Sequence, residues 1–231
     1  MYKKTLTSTD EEDPEINYRN NLQRIAFHEA GHATALYLNN RTNHLPTVPF
    51  KIRIKEYSTI PRRPENMNSS NQDQYSGEVE GGRLIHSLPF SEKTEGKQTS
   101  NPSNQTTQSS LAEYEADIIN LLAGPLAEAK FVSLCDDEII NPHLVNFTAL
   151  KYYGGASDMS LVNQYLDCFS KNDRQRKEKK FTLLVKAFDF VNDAANWKAI
   201  TATANYILKQ KKSVIGSEEV VSIVDAALPT H

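Results

Sequence analysis

The residues best suited to chemistry are His28, Glu29 and His32, which form the pattern His-Glu-x-x-His. Residues 21–38 are predicted to be helical, and residues four positions apart on a helix lie on one face. The two imidazoles can therefore bind one Zn²⁺ at about 2.0–2.1 Å per nitrogen. Glu29 lies on the neighbouring strip of the helix, where it can act as a general base toward a water without binding the metal.

A pair of histidines on a helix is also a common structural feature, so the residues around the motif matter. The flanking positions are apolar on nearly every side, which predicts a buried helix. Buried His and Glu side chains need polar partners, and a metal with a water supplies them. The pattern favours zinc over structural histidines, and a helical protein without metal stays open as an alternative.

A catalytic zinc needs a third protein ligand and one open position. Asp158 follows a glycine turn at residues 154–157 and lies at the predicted start of a helix. Glu113 lies on a predicted helix four residues before Asp117, a spacing at which the second carboxylate can orient a ligating histidine. Spacing alone does not separate Asp158 from Glu113.

The elements around these residues predict a mainly α (α+β) fold, with a small β-sheet next to the motif helix. Residues 50–57 alternate apolar residues with Lys and Arg, which predicts a half-buried edge strand, and residues 77–88 predict a second strand. Such an edge can bind an extended peptide as an additional strand. Further helices are expected at 111–132, 158–170, 181–195, 197–211 and 217–227, the first kinked or split at Gly124-Pro125.

The polar segments suggest how the chain is organised. Residues 1–17 predict a flexible tail, and residues 18–231 a single domain. Residues 91–110 contain almost no apolar side chain, which predicts a long mobile loop. Residues 172–180 are predicted to be a basic, solvated connector.

Charge and composition exclude several classes of function. The net charge is -3, so the sequence predicts no surface for nucleic acid. It contains no phosphate-binding loop, so no ATP is expected. The N-terminus lacks the apolar core of a signal peptide, and no apolar run approaches about 18 residues. The prediction is therefore a cytoplasmic protein without a membrane span.

Three blocks of sequence, in their order along the chain, resemble those of a known protein family. They are Phe-His-Glu-Ala-Gly-His-Ala at 27–33, Leu-Ala-Gly-Pro-Leu-Ala-Glu at 122–128 and Gly-Gly-Ala-Ser-Asp at 154–158. Together they resemble the zinc helix, the Gly-Gly-Arg-x-Ala-Glu segment and the Gly-Ala-Ser-Asn-Asp turn of the FtsH family of ATP-dependent zinc metalloproteases. Pro125 stands in place of the usual Arg, and outside the blocks the resemblance is weak.

The resemblance implies a zinc metalloendopeptidase in which His28, His32 and Asp158 bind Zn²⁺ and Glu29 is the general base. Glu128 is then a carboxylate that packs helices or orients a ligand, or else a surface salt-bridge residue. The family's transmembrane segments and ATPase module are not in this chain. The expected substrates are therefore peptides or unfolded polypeptides, and the family's hexameric state is not carried over. The alternative is a catalytically silent zinc-containing binding or regulatory module.

Overall fold

The computed structural model describes residues 14–56, 75–86, 104–141, 145–169, 172–210 and 212–228. Within these ranges the fold is mainly helical with one small sheet, as predicted. The helices are α1 (Pro14–Thr42), α2 (Asn104–Cys135), α3 (Phe147–Leu150), α4 (Ala156–Phe169), α5 (Asp173–Asn192), α6 (Ala194–Gln210) and α7 (Ser217–Ala227). The strands are β1 (Phe50–Glu56), β2 (Tyr75–Gly81) and β3 (Val214–Gly216), and a π-helical turn at Lys151–Gly155 joins α3 to α4.

Helices α1 and α2 pack closely together in the centre of the core. An ideal Cβ on Gly31 of α1 would lie 2.5 Å from the carbonyl oxygen of Ala123 on α2, so the helices meet where α1 has no side chain. Of the predicted kink or split of α2 at Gly124-Pro125, the split is wrong, since one helix continues through Pro125. The proline removes one backbone hydrogen bond, but Leu122 and Leu126 on either side are fully buried and hold the helix in place.

One helical stretch among the described residues, Leu111–Cys135 in α2, is long and apolar enough to cross a membrane. Its most apolar window is 61% buried inside the protein. Because α2 packs against α1, α4 and α5, burial in the protein core accounts for its apolar composition. The absence of a membrane span remains a prediction.

The sheet has the order β2-β1-β3, with both pairs antiparallel. The prediction that β1 is an edge strand is therefore wrong, because β1 is central. Its basic side chains form cross-strand ion pairs with glutamates on β2: Lys51 with Glu80 at 2.8 Å, Lys55 with Glu78 at 2.6 Å, and Arg53 also with Glu80. The two edge strands of the described sheet are β2 and β3.

Helix α1 lies alongside β2 and runs in the same direction. Ile25 of α1 contacts the position of Gly77, and Leu36 contacts the position of Gly82, just beyond the strand. The 11 residue steps from Ile25 to Leu36 on the helix span about 16.5 Å, and the five steps from Gly77 to Gly82 in extended chain span about the same length. The helix and the strand therefore stay side by side, and residues of both line one cleft.

Several predicted boundaries are corrected by the structure. Helix α1 begins at Pro14, so residues 14–17 are helical rather than part of the predicted tail, and residues 1–13 lie outside the described residues. Helix α2 begins at Asn104, so 104–110 do not belong to the predicted loop, whose residues 91–103 also lie outside the described residues. The predicted connector at 172–180 is the start of α5, capped by Asn172. The second strand ends at Gly81 because Gly81 and Gly82 both have positive φ.

Candidate metal centre

Three side chains from two helices converge at one point in the cleft. The Nε2 atoms of His28 and His32 on α1 are 3.0 Å apart. Asp158, in the first turn of α4, places Oδ2 3.4 Å from Nε2 of His28 and Oδ1 3.6 Å from Nε2 of His32. Glu113, the other candidate for third ligand, is not a member of this group among the residues that the structure describes.

The other ring nitrogen of each histidine is held by an acceptor. Nδ1 of His28 is 3.0 Å from Oε2 of Glu128 and 3.1 Å from the carbonyl oxygen of Tyr153. Nδ1 of His32 is 2.9 Å from the carbonyl oxygen of Asn120. Because a carbonyl oxygen only accepts hydrogen bonds, both Nδ1 atoms carry the proton. When both rings are neutral, the two Nε2 lone pairs therefore face each other and Asp158, an arrangement that a shared cation, either a proton or a metal ion, would stabilise.

The spacing and chemistry of these donors fit a transition metal ion. Tetrahedral ligands at about 2.0–2.1 Å from a metal are about 3.3–3.4 Å from one another. The two Nε2 atoms are 3.0 Å apart, and each lies 3.4 or 3.6 Å from a different oxygen of Asp158; one ligand atom from each of the three residues lies within 4.8 Å of the others. Two imidazole nitrogens and one carboxylate suit zinc and other divalent first-row metals, whereas Ca²⁺ and Mg²⁺ favour oxygen ligands. The donor set could therefore hold a divalent first-row metal, and it does not select zinc.

The electrostatics of the group also favour a cation. Burial lowers the pKa of the His28 imidazole, but hydrogen bonds with Asp158 and Glu128 outweigh it and hold that pKa well above its ordinary value. Burial raises the pKa of the Asp158 carboxyl, but the charge of His32 and the hydrogen bond with His28 outweigh it and hold that pKa far below its ordinary value. The group thus stabilises positive charge next to an ionised carboxylate.

Glu29 lies beside this group without belonging to it. Its side chain is buried, and Oε2 has no hydrogen-bond partner. Burial raises the pKa of the Glu29 carboxyl. A buried oxygen with no partner costs free energy, so this atom is suited to a ligand or water brought to the cleft. The sequence predicted this placement from the position of Glu29 next to the first histidine.

A break in the backbone before α4 brings Asp158 to α1. Gly154 has φ of 67°, in the left-handed region, and interrupts the π-helical turn one residue before its end. An ideal Cβ on Gly154 would lie 2.9 Å from Nδ1 of His28 and 3.0 Å from Oε2 of Glu128. Both the backbone conformation and the available space therefore require glycine, and the redirected chain enters α4 with Asp158 facing the two histidines.

Helix α2 also makes room for one of the histidines. An ideal Cβ on Gly124 would lie 2.2 Å from Nε2 of His32. The sequence analysis treated this glycine, next to Pro125, as a place where the helix would kink or split and as part of the block at 122–128, but not as a contact of His32. A glycine within an apolar helical segment was the signal that a neighbouring group approaches the backbone closely.

Glu128 is held in place by Arg24, which lies one turn before His28 on α1. Nε of Arg24 donates to Oε1 of Glu128 at 2.9 Å, Nη2 is 2.8 Å from the same oxygen, and Nη2 donates to the carbonyl oxygen of Tyr152 at 3.3 Å. Glu128 is only 5% exposed, so the alternative of a surface salt-bridge residue is wrong. Sequence reasoning missed Arg24, although its spacing of four residues from His28 placed both on one helix face.

Asp117 has a role different from the one that its spacing suggested. Its carboxylate accepts hydrogen bonds from the backbone N–H groups of Leu84 and Ile85, both at 2.9 Å, and from the Tyr165 hydroxyl at 2.8 Å. Asp117 therefore ties the segment after β2 to α2 and α4. It does not orient a histidine, so the second-carboxylate argument for Glu113 loses its basis.

The converging residues line a cleft of about 900 Å³. Residues 76–81 of the edge strand β2 form one wall, and the rest of the lining comes from α1, α2, the π-helical turn, α4 and Arg83. His28, Glu29, His32 and Asp158 all line it. Comparison with protein-family models, curated proteins and solved structures finds no match to this chain, so its function is inferred from the site.

Proposed function

We propose that this chain is a zinc-dependent metalloendopeptidase that hydrolyses peptide bonds of extended or unfolded polypeptides. The observation that carries the proposal is the unpartnered carboxylate oxygen of Glu29, buried beside three converging metal-type donors in a cleft. A purely structural metal site has no use for such a carboxylate, whereas hydrolysis needs a base at that place. The resemblance of three sequence blocks to the FtsH family supports the same proposal.

His28, His32 and Asp158 would hold the ion. When bound, Zn²⁺ acts as a Lewis acid that polarises the scissile carbonyl and makes a water more acidic. Glu128 fixes the ring of His28 through Nδ1, and Arg24 fixes Glu128 in turn. Such outer partners hold ligands in one orientation, and their loss costs about 10–100-fold in metal affinity or activity.

Glu29 is the proton carrier of the proposed reaction. Its carboxylate removes a proton from the attacking water as the water oxygen bonds to the carbonyl carbon. The same proton then passes from Glu29 to the amine nitrogen as the carbon–nitrogen bond breaks. The raised pKa of the buried Glu29 carboxyl makes it a better proton acceptor than an exposed glutamate, because the acid form is less costly to reach.

The edge strand β2 is the proposed contact for the substrate backbone. Among the residues that the structure describes, no strand pairs with β2 on its side away from β1, and residues 76–81 line the cleft wall; an extended peptide can add to such an edge through backbone hydrogen bonds. This mode of binding needs an unfolded substrate segment. The proposal therefore predicts activity on peptides and flexible chains but not on stably folded proteins. As the sequence analysis predicts, it includes no ATP and no nucleic acid.

The test compares wild type with Glu29→Gln and with Glu138→Gln, an exposed control outside the cleft lining. Cleavage of an unstructured protein and metal content per chain are measured before and after treatment with a chelator. We expect wild type and Glu138→Gln to cleave with chelator sensitivity, and Glu29→Gln to lose at least about 100-fold in kcat while retaining metal. Equal, chelator-insensitive cleavage by all three would refute the proposal. Bound metal without turnover in wild type would instead indicate the silent binding module.

A further inference from the structure

Gly77, in the edge strand β2, lies directly against the side chain of Glu29. An ideal Cβ on Gly77 would lie 2.6 Å from Cγ and 2.7 Å from Oε1 of Glu29, and 2.7 Å from Cγ2 of Ile25. Favourable contacts between carbon atoms are about 3.5–4.0 Å. Any side chain at position 77 would therefore displace Glu29, Ile25 or the strand itself.

Space, rather than backbone conformation, explains why glycine is present at this position. The glycines with positive φ in the described chain are Gly81, Gly82 and Gly154, so Gly77 does not need the left-handed region. Gly77 pairs with Ile54 in the middle of the ladder, where β-branched residues are favoured and glycine weakens a strand. The close approach of Glu29 is the feature that accounts for the exception.

Packing limits where the Glu29 side chain can lie on the side of Gly77. The side chain is only 4% exposed, its Cγ and Oε1 lie against Gly77, and its other carboxylate oxygen, Oε2, has no hydrogen-bond partner. The carboxylate is therefore located by the surfaces around it, and one of those surfaces is the bare backbone of Gly77.

We propose that Gly77 is a positioning residue for hydrolysis: its lack of a side chain lets Glu29 lie between β2 and the group of His28, His32 and Asp158. This inference rests on the proposed function, because it assigns Gly77 a role in setting the place of the general base. It also predicts that a methyl group at position 77 impairs turnover while leaving the metal ligands intact.

The kinetic test uses Gly77→Ala, with Gly216→Ala as a matched control in β3. An ideal Cβ on Gly216 has no heavy atom within 4 Å. We expect Gly77→Ala to lower kcat by at least about 100-fold, within the range for loss of a general base, with KM within a few-fold of wild type and unchanged metal content. Gly216→Ala should keep wild-type kcat. In a Glu29→Gln background, Gly77→Ala should have no further effect on kcat.

A second measurement tests the contact without using activity. Thermal unfolding of the metal-free protein is compared for Gly77→Ala, Glu29→Ala and the double variant. Overpacking is expected to lower the Tm of Gly77→Ala by about 2–12 °C, and part of this loss should disappear when Glu29 is already truncated. If the Tm changes of the two single variants simply add in the double variant, the inferred contact between position 77 and Glu29 is wrong.

The outcomes separate this inference from the proposed function. Wild-type cleavage with unchanged kcat in Gly77→Ala would overturn the role of Gly77 and leave the proposed function standing. If wild type shows no chelator-sensitive cleavage, the proposed function fails and so does the catalytic role of Gly77. An increase in KM alone would show that position 77 contacts the substrate instead, which also overturns the inference.

Discussion

Replacing Gly124 by alanine is expected to abolish metal binding while leaving the ligands themselves unchanged. The added Cβ would lie 2.2 Å from Nε2 of His32, whereas a carbon–nitrogen contact needs about 3.4 Å or more. The imidazole or α2 must therefore move by about 1.2 Å. Metal–ligand distances tolerate only about 0.2 Å, so the required movement is about six times the tolerance. A side chain on the neighbouring helix thus removes one ligand.

The assay measures metal per chain and the change of Tm on adding metal. At a metal concentration about 1,000 times Kd, binding stabilises the folded state by about 4.1 kcal/mol. For a chain of this size that stabilisation corresponds to a Tm increase of about 8–16 °C. We expect this increase in wild type and in Gly216→Ala, and its loss in Gly124→Ala. Because each variant is compared with its own metal-free form, a general loss of stability from overpacking does not imitate the result.

One outcome would refute this reasoning directly. If Gly124→Ala binds one metal per chain with a wild-type increase in Tm, then Nε2 of His32 does not take part in metal binding. If the alanine variant does not fold, the double variant Gly124→Ala/His32→Ala keeps the test informative, because truncating the imidazole removes the group that the added Cβ meets; failure of the double variant to regain folding would also contradict the reasoning.

Two further predictions concern the ligands and pH. Asp158→Ala should lose bound metal, whereas Glu113→Ala should retain one metal per chain; the opposite result, measured by elemental analysis, would reassign the third ligand. In the metal-free protein the pKa of His28 is raised, so the protonated imidazole stabilises the folded state below about pH 6.5, and this stabilisation is lost as pH rises through the folded pKa. The Tm of the metal-free protein should therefore fall from pH 6 to 8. Metal binding needs the neutral imidazole, so the increase in Tm caused by metal should grow over the same range.

The sequence was most informative within a single helix, where the separation of two residues in the sequence determines their distance in the structure. His28 and His32 lie on one face of α1 because residues four apart on any helix do so, and their Nε2 atoms do meet at 3.0 Å. The helical segments after residue 111 were also predicted from local periodicity. Their ends were less accurate: the predicted connector before residue 181 belongs to α5, since its charged residues can form pairs along the helix surface, such as Arg174 with Glu178 at 2.8 Å.

Only the tertiary structure decided which distant groups meet the motif helix. The choice between Asp158 and Glu113 depends on the backbone break at Gly154, after which the first turn of α4 lies next to α1. The spacing of residues in the sequence does not predict the direction in which α4 leaves this break. Strand β1 became central because a three-residue strand, Val214–Gly216, pairs with it, and so short a segment has no recognisable period. Gly77 and Gly124 are important because side chains of another element, Glu29 and His32 of α1, lie against them. The order of residue types along the sequence does not show such contacts. The sequence thus determined the local chemistry of one helix, and long-range packing determined the site around it.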